Sequence, residues 1–196
     1  MRALQDRVYY GWVIVGVVTL AGFTQVGTFN PILAVFVKPF HDVFGWSRAE
    51  VSMGITLGSI GGGLIGPFLG PFIDRRGARA VLLTLQAVYG TCLLSLTFLN
   101  GSLIYFVAVF ALGRIAAQAG ANLANQVAIA NWFVRYRGRA MGVTNLGNRL
   151  GQAVLPGVAA FLIETAGWRF AWLFLGAQVW ILAMVPCLLL MRRRPE

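Results

Sequence analysis

Long apolar stretches alternate along the chain with short segments that carry charge, glycine and proline. Six of these stretches reach the roughly 20 residues that a helix needs to cross about 30 Å of hydrocarbon. They cover residues 9–36, 50–73, 79–99, 103–130, 139–163 and 168–191. The pattern predicts an all-α membrane protein with six transmembrane helices in one domain over residues 1–196.

Composition excludes an ordinary soluble domain, because 58% of the residues are hydrophobic and only 11% are charged, against about 25% charged residues in soluble proteins. The net charge of +10 does not indicate nucleic-acid binding, since no soluble module remains outside the apolar spans. No phosphate-binding loop, metal-ligand spacing or nucleophile–base pair is present. We therefore expect no enzymatic activity, no cofactor and no metal site.

The basic residues predict the orientation of the helices. One side of the membrane holds three of them: Lys38, Arg48 and Arg169. The other side holds eleven: Arg2, Arg7, Arg75, Arg76, Arg79, Arg135, Arg137, Arg139, Arg192, Arg193 and Arg194. The side with eleven is expected to be the cytoplasm, so both termini are cytoplasmic, and a bacterial inner membrane is the expected location.

The second and fifth spans resemble each other. Glycines, a proline and a phenylalanine in residues 54–72 match residues 142–161 at a spacing of 88 to 89 positions. Residues 74–79 match residues 164–169 at a spacing of 90. Because the two spans cross the membrane in opposite directions, the helices form two inverted three-helix repeats, a construction typical of secondary transporters. Chance similarity between two glycine-rich helices is the alternative.

Glycines recur every fourth residue in the second span, at positions 54, 58, 62, 66 and 70. They share one helix face, to which a neighbouring backbone can approach closely. Both static packing and a sliding gate contact are consistent with this stripe.

Two arginines lie deep inside predicted spans. Arg114 is about 11 residues into the fourth span and Arg149 about 10 into the fifth, which is about 15–16 Å deep at 1.5 Å per residue. A central arginine costs about 2.5–3.5 kcal/mol on insertion scales unless it faces water or a partner. All six acidic residues lie near span ends or in loops, so no carboxylate neutralises these arginines at mid-membrane.

Polar side chains accompany the arginines. Gln118, Asn122 and Asn125 share a predicted face with Arg114, Asn145 and Gln152 lie near Arg149, and Gln25 and Thr28 lie at similar depth in the first span. In one interpretation the arginines bond backbone carbonyls and amides; in the other they face a translocation cavity and attract an anion, such as a carboxylate. A proton relay within this chain is disfavoured, because no acid or histidine accompanies them.

The loop after the second span resembles the signature G-x-x-x-D-[RK]-x-G-[RK]-[RK] of the major facilitator superfamily, with Ala78 departing from it. In that family the loop is a cytoplasmic gate motif. Its matching residues here are Gly70, Asp74, Arg75, Gly77 and Arg79. Residues 10–12, 44–50, 114–120 and 132–142 are similar to segments of the monocarboxylate and oxalate/formate transporter-like branch.

The resemblance implies that the first and fourth helices line a cavity, the second and fifth flank the gates, and the third and sixth support them. It also implies two six-helix halves, of which this chain resembles the N-terminal one. The expected function is secondary transport of a small organic anion by alternating access. Transport of a neutral solute or drug, or a half that is inactive alone, are the alternatives.

The expected partners are the lipid bilayer, a small organic anion, a coupling proton or counter-anion, and a missing C-terminal half or second copy. Nucleic acid is not expected.

Overall fold

The computed structural model describes residues 2–121, 127, 129 and 137–190, and all elements within them are helical. Five of these helices are long and apolar enough to cross a membrane, and Leu103–Gln118 is a shorter apolar helix. The second, third and fifth spans run over Arg48–Arg76, Ala78–Ser95 and Arg137–Ala166. A short 3₁₀ turn, Leu96–Phe98, follows the third. The predicted all-helical membrane fold is confirmed.

The first span is broken near its middle, which the apolar pattern does not predict. Helix Arg2–Thr24 is followed by the 3₁₀ turn Gln25–Thr28, and a second helix covers Asn30–Phe44. Phe29 between them is extended, with φ −86° and ψ 159°. Pro31 lies in the first turn of the second helix, where its missing amide removes no intrahelical hydrogen bond. The Gln25–Thr28 segment is called the broken turn below.

The apolar pattern places the end of the first span at residue 36, but the helix Asn30–Phe44 extends beyond that point. The helix continues through Pro39 and ends at Gly45, whose left-handed backbone has φ 72°. Within membrane helices a proline is tolerated where neighbouring helices shield the backbone group that it frees. The second span then begins at a capping box, in which Ser47 and Glu50 each satisfy the other's backbone amide.

The fourth and sixth spans contain π-helical segments. Helix Leu103–Ile115 continues as the π segment Ala116–Ala121. The sixth span consists of Trp168–Gln178, the π segment Val179–Met184 and Val185–Leu190. Because a π-helix bonds residue i to i+5, it changes the face on which all later residues lie. Asn122 and Asn125 lie outside the described residues.

The inverted repeat predicted from the 90-residue spacing is present in the turns. Gly77 joins the second span to the third with φ 83° and ψ 143°, and Gly167 joins the fifth to the sixth with φ 88° and ψ 162°. Side chains other than glycine rarely adopt a positive φ. The two connections therefore use the same glycine-dependent turn, once in each repeat.

Two arginine contacts obey the same symmetry. Arg79, at the start of the third span, donates from Nη2 to the Leu188 carbonyl near the end of the sixth, at 2.8 Å. Arg169, at the start of the sixth span, donates to the Leu99 carbonyl after the third, at 3.5 Å. A cation near the carbonyl end of a helix is favourable. These reciprocal contacts confirm two inverted three-helix repeats.

The packing of the helices also agrees with the repeat. The first span packs on the fifth and the second packs on the fourth, and the repeat relates these two pairs to each other. Gly147 and Gly151 of the fifth span lie against the Thr19 and Phe23 backbone of the first. In the predicted glycine stripe, Gly54 and Gly58 contact the fourth span. No described atom lies within 4 Å of a Cβ placed at Gly66 or Gly70. Among the described residues, two of the five glycines of the stripe, Gly54 and Gly58, thus form a helix contact.

The core holds an aromatic cluster where the first, fourth and sixth spans meet. Phe36 stacks on Trp172 with ring centroids 4.2 Å apart, and Phe40 packs edge-on against Phe106 at 5.3 Å. All four side chains are fully buried. Burial of these large aromatic side chains stabilises the packing of the three spans near Phe40, at the C-terminal end of the first span.

Candidate functional site

Three neighbouring spans supply hydrogen bonds to the backbone around the broken turn. The Asn148 amide of the fifth span donates to the Gly22 carbonyl at 3.3 Å, and the Tyr89 hydroxyl of the third donates to the Thr24 carbonyl at 3.0 Å. Arg114 of the fourth span donates from Nη1 to the Thr28 carbonyl. An unsatisfied carbonyl costs several kcal/mol in hydrocarbon. These side chains therefore compensate for the hydrogen bonds lost at the break.

Arg114 is buried and contacts two other spans. Its Nε donates to the Ser59 hydroxyl of the second span at 3.0 Å, while Nη1 reaches the Thr28 carbonyl of the first. The guanidinium carbon lies 5.8 Å from the centroid of the Phe29 ring. Ser59 in turn donates to the Ile55 carbonyl at 2.8 Å. Arg114 thus connects the first, second and fourth spans, using backbone and hydroxyl acceptors in place of a carboxylate.

Gln25 and Thr28 lie in the broken turn and are each only 1% exposed. Residues three apart in a 3₁₀ turn lie on the same face. The Thr28 side chain faces the fourth span, since its methyl carbon is 3.7 Å from a Cβ placed at Gly113. Gln25 Nε2 and Thr28 Oγ1 have no hydrogen-bond partner among the described residues. Buried polar atoms of this kind mark a place where a water or a ligand oxygen can bind.

The fifth span divides its polar residues between two faces. Asn148 and Gln152 are half-buried, and the Gln152 amide donates to the Asn148 side-chain oxygen at 2.6 Å. Asn145 and Arg149 are exposed. No hydrogen bond or ion pair joins the Arg149 side chain to any residue that the structure describes. Within the described ranges, Arg149 thus lacks a hydrogen-bonding partner, whereas Arg114 has two.

The structure separates Arg114 from Gln118, which were predicted to share a helix face. Arg114 is 6% exposed, whereas Gln118 is exposed. The π segment Ala116–Ala121 starts between them, so the α-helical spacing of four residues no longer aligns their side chains. The candidate residues thus form a buried group, with Arg114, Gln25 and Thr28, and an exposed group, with Gln118, Asn145 and Arg149.

The gate-motif residues surround the end of the second span. Gly77 makes the positive-φ turn described above, and Arg79 binds the end of the sixth span. Arg75 is exposed, and Gly70 is near the same end of the helix. Asp74 lies in the last turn of Arg48–Arg76, but its side chain is outside the described part of the structure. The motif thus provides a turn and an interhelical contact.

A cavity of about 360 Å³ lies between the second half of the first span and the end of the fifth. Lys38, Asp42, Glu164 and Trp168 are among the residues that line it. They belong to the ends of their spans, so the cavity is remote in sequence from the mid-membrane arginines, and its charged lining consists of one basic side chain, Lys38, and two acidic ones, Asp42 and Glu164.

Tyr89 and Ser59 hold the site together, yet neither follows from the sequence analysis. Tyr89 is fully buried in the third span, to which the family resemblance assigns only a supporting role. Ser59 is an exposed hydroxyl in a glycine-rich segment. The dipeptide Asn30-Pro31 is the one available signal for the break itself, since asparagine before proline is typical of turns.

Comparison with known families agrees with this architecture. The model of the Major Facilitator Superfamily matches residues 10–196, which is almost the whole chain. The chain belongs to this family. Its members include the protein of Cupriavidus necator named "Probable sulfoacetate transporter SauU", which is 35% identical over 105 residues, or 53% of this chain and 24% of the relative.

Human monocarboxylate transporter 1 is 26% identical over 170 residues, which cover 85% of this chain and 33% of the relative. Among solved structures, the proton:xylose symporter XylE, bound to 6-bromo-6-deoxy-D-glucose, superposes with a TM-score of 0.76 at 19% identity. That superposition covers 94% of this chain and 45% of XylE, and it shows a shared fold. The chain spans less than half the length of these proteins.

Proposed function

We propose that this chain is the N-terminal half of a secondary transporter that moves a small organic anion by alternating access. The observation that carries the proposal is Arg149, an exposed arginine without a described partner about 10 residues into the fifth span. A charge at this depth is stable only beside water or a counter-charge. The six acids of the chain all lie near span ends or in loops, so an anionic solute is the counter-charge that we propose.

The names of two relatives support an anionic solute, because sulfoacetate and monocarboxylates both carry a carboxylate. A guanidinium binds carboxylate and sulfonate oxygens through paired N–H groups. Asn145 lies on the exposed side of the fifth span with Arg149 and adds an amide donor. In the broken turn, Gln25 and Thr28 carry hydrogen-bond donors without a described partner. A solute oxygen can bind these donors once the turn opens.

Arg114 has a different role in this proposal. Its Nε and Nη1 donors are already occupied by Ser59 and Thr28. We propose that it holds the broken turn against the second and fourth spans.

A second six-helix half is part of the proposal. The second span exposes Leu64 at 69% and Phe68 at 77%, and the fifth exposes Leu146 at 58% and Leu150 at 57%. Arg149 lies between Leu146 and Leu150 along the fifth span, so lipid alone does not cover this face. A homodimer through the face would bring two Arg149 side chains together. A C-terminal half of different sequence is therefore favoured over a homodimer, either as a continuation of the same chain or as the product of an adjacent gene.

The DNA that follows Glu196 tests the second half directly. A second six-helix segment in frame, or an adjacent reading frame of that kind, supports the proposal. If neither is present, the chain acts as a homodimer or is inactive, and the proposal of a C-terminal half is overturned.

Uptake into liposomes tests the solute. The chain together with its second half is expected to take up labelled sulfoacetate or L-lactate and to be inhibited by neither xylose nor glycerol. Arg149→Gln is expected to reduce uptake at least about 10-fold, as loss of one charge-assisted contact of about 1.4 kcal/mol or more implies, and Arg149→Lys to retain part of it. Arg48→Gln, at a span end, is the matched control. Full uptake by folded Arg149→Gln protein overturns the role of Arg149, and inhibition by xylose alone favours a neutral solute.

A further inference from the structure

The broken turn depends on a residue of the third span. Tyr89 is fully buried, and its hydroxyl donates to the Thr24 carbonyl at 3.0 Å. Thr24 is the last residue of the first helix, so this carbonyl lies where the α-helical hydrogen bonds stop. The Tyr89 hydroxyl therefore satisfies the carbonyl at which the first helix of this span ends.

Gly27 makes room for this hydroxyl. A Cβ at Gly27 would lie 2.7 Å from the Tyr89 oxygen and 2.9 Å from Leu93 Cδ1, so any larger residue at this position would force the Tyr89 and Leu93 side chains to shift. The Tyr89 hydroxyl can therefore reach the first span because residue 27 is a glycine. Tyr89 is also 3.9 Å from a Cβ placed at Gly113, so it contacts the fourth span next to Arg114.

We propose that Tyr89 is a positioning residue for the solute path. Its hydroxyl holds the broken turn so that Gln25 and Thr28 face the fourth span beside Arg114. The part played by Gln25 and Thr28 in solute binding rests on the proposed function, but the positioning by Tyr89 does not. Of the three side chains that bond the backbone around this turn, Tyr89 alone comes from a span that the family resemblance treats as support.

Hydrogen exchange measured by mass spectrometry tests the proposal on the 196-residue chain in phosphatidylglycerol–phosphatidylcholine nanodiscs. Tyr89→Phe keeps the ring and removes only the hydroxyl. We expect peptides covering residues 24–33 to exchange at least tenfold faster, while peptides from the fifth and sixth spans are unchanged. Tyr105→Phe is the matched control, because the Tyr105 hydroxyl also donates to a backbone carbonyl, that of Ser95, at 3.0 Å.

Exchange of residues 24–33 within twofold of the parent chain overturns the proposal. So does a uniform increase along the whole chain, which would mean that Tyr89 supports the fold without acting on this turn. Transport is not measured, so failure of the proposed function leaves these outcomes unaffected.

A second variant keeps the test open if Tyr89→Phe does not fold. Gly27→Ala places a methyl group against the Tyr89 hydroxyl and is expected to accelerate exchange at residues 24–33 by a similar factor. In the double variant with Tyr89→Phe the two effects should overlap, with less than a further twofold change. Effects that multiply would show that the two residues act independently and would overturn the proposal.

Discussion

The contact between the first and fifth spans and the contact between the second and fourth are related by the internal repeat, yet they are built differently. A Cβ at Gly147 would lie 2.2 Å from the Thr19 carbonyl oxygen, and one at Gly151 would lie 2.4 Å from that of Phe23. At the second–fourth contact the neighbours of a Cβ at Gly58 are the Arg114 side chain, at 2.8 and 2.9 Å, and the Ala111 backbone at 3.2 Å.

The difference separates a rigid contact from an adaptable one. A helix backbone cannot move away from a new methyl group without moving the whole helix, whereas a side chain can change rotamer. The first and fifth spans therefore form a pair whose distance is set by main-chain atoms. The second and fourth form a pair whose contact includes the side chain of Arg114.

The largest expected effect comes from the rigid contact. Gly147→Ala should lower the free energy of unfolding by about 3 kcal/mol or prevent folding, because overpacking against backbone has no local relief. Gly142→Ala on the same helix is the control, since no described atom lies within 4 Å of a Cβ there. Thermal unfolding in detergent, followed by circular dichroism, measures both. Equal stability of the two variants would contradict the backbone contact.

The two mid-membrane arginines provide the next test. Arg114→Met should reduce the free energy of unfolding by about 2 kcal/mol, because the buried Thr28 carbonyl loses its donor. Arg149→Met, at a similar depth but exposed, should change it by less than about 0.5 kcal/mol. The same unfolding assay compares them. A loss for Arg149→Met as large as that for Arg114→Met would show that Arg149 also has a structural partner.

Gly58→Ala is expected to have a smaller effect than Gly147→Ala, about 1 kcal/mol, because the Arg114 side chain can shift. Its cost should fall further in the Arg114→Met background, where the shorter side chain leaves space. A double-mutant cycle on unfolding free energies measures this coupling. Additive costs would show that the Ala111 backbone, and not Arg114, limits the space at position 58.

The smallest expected effects belong to the reciprocal arginine contacts. Arg79→Gln should cost about 1 kcal/mol and Arg169→Gln less, because the Arg79 bond is shorter, at 2.8 Å against 3.5 Å, and hydrogen bonds weaken with length. Raised salt should reduce both costs. A larger cost for Arg169→Gln would reverse this order and contradict the geometry.

The repeat and its turns were predictable because they depend on glycines at a constant spacing, such as Gly77 and Gly167. The broken turn was not, because apolar residues continue on both sides of it and hydrophobicity alone carries no signal of a changed hydrogen-bond pattern. The same limit applies to Gln118. Its depth follows from counting residues, but its direction depends on a π segment that no helical periodicity reveals.

The hydrogen-bond partners of Arg114 were also not predictable from the sequence. Sequence analysis left open whether Arg114 bonds the backbone or faces a cavity, since a carbonyl acceptor such as that of Thr28 is available in any chain. The role of Tyr89 was not predictable from the sequence either, because it depends on the broken turn in a different helix.

The contacts made by Arg79 and Arg169 tie the third and sixth spans to each other at both membrane surfaces. Two links between the same pair of helices limit how far one helix can slide along the other, so we expect the third and sixth spans to move together. Bending is then expected where the α-helical hydrogen bonds are interrupted, at the broken turn of the first span and at the π segments of the fourth and sixth.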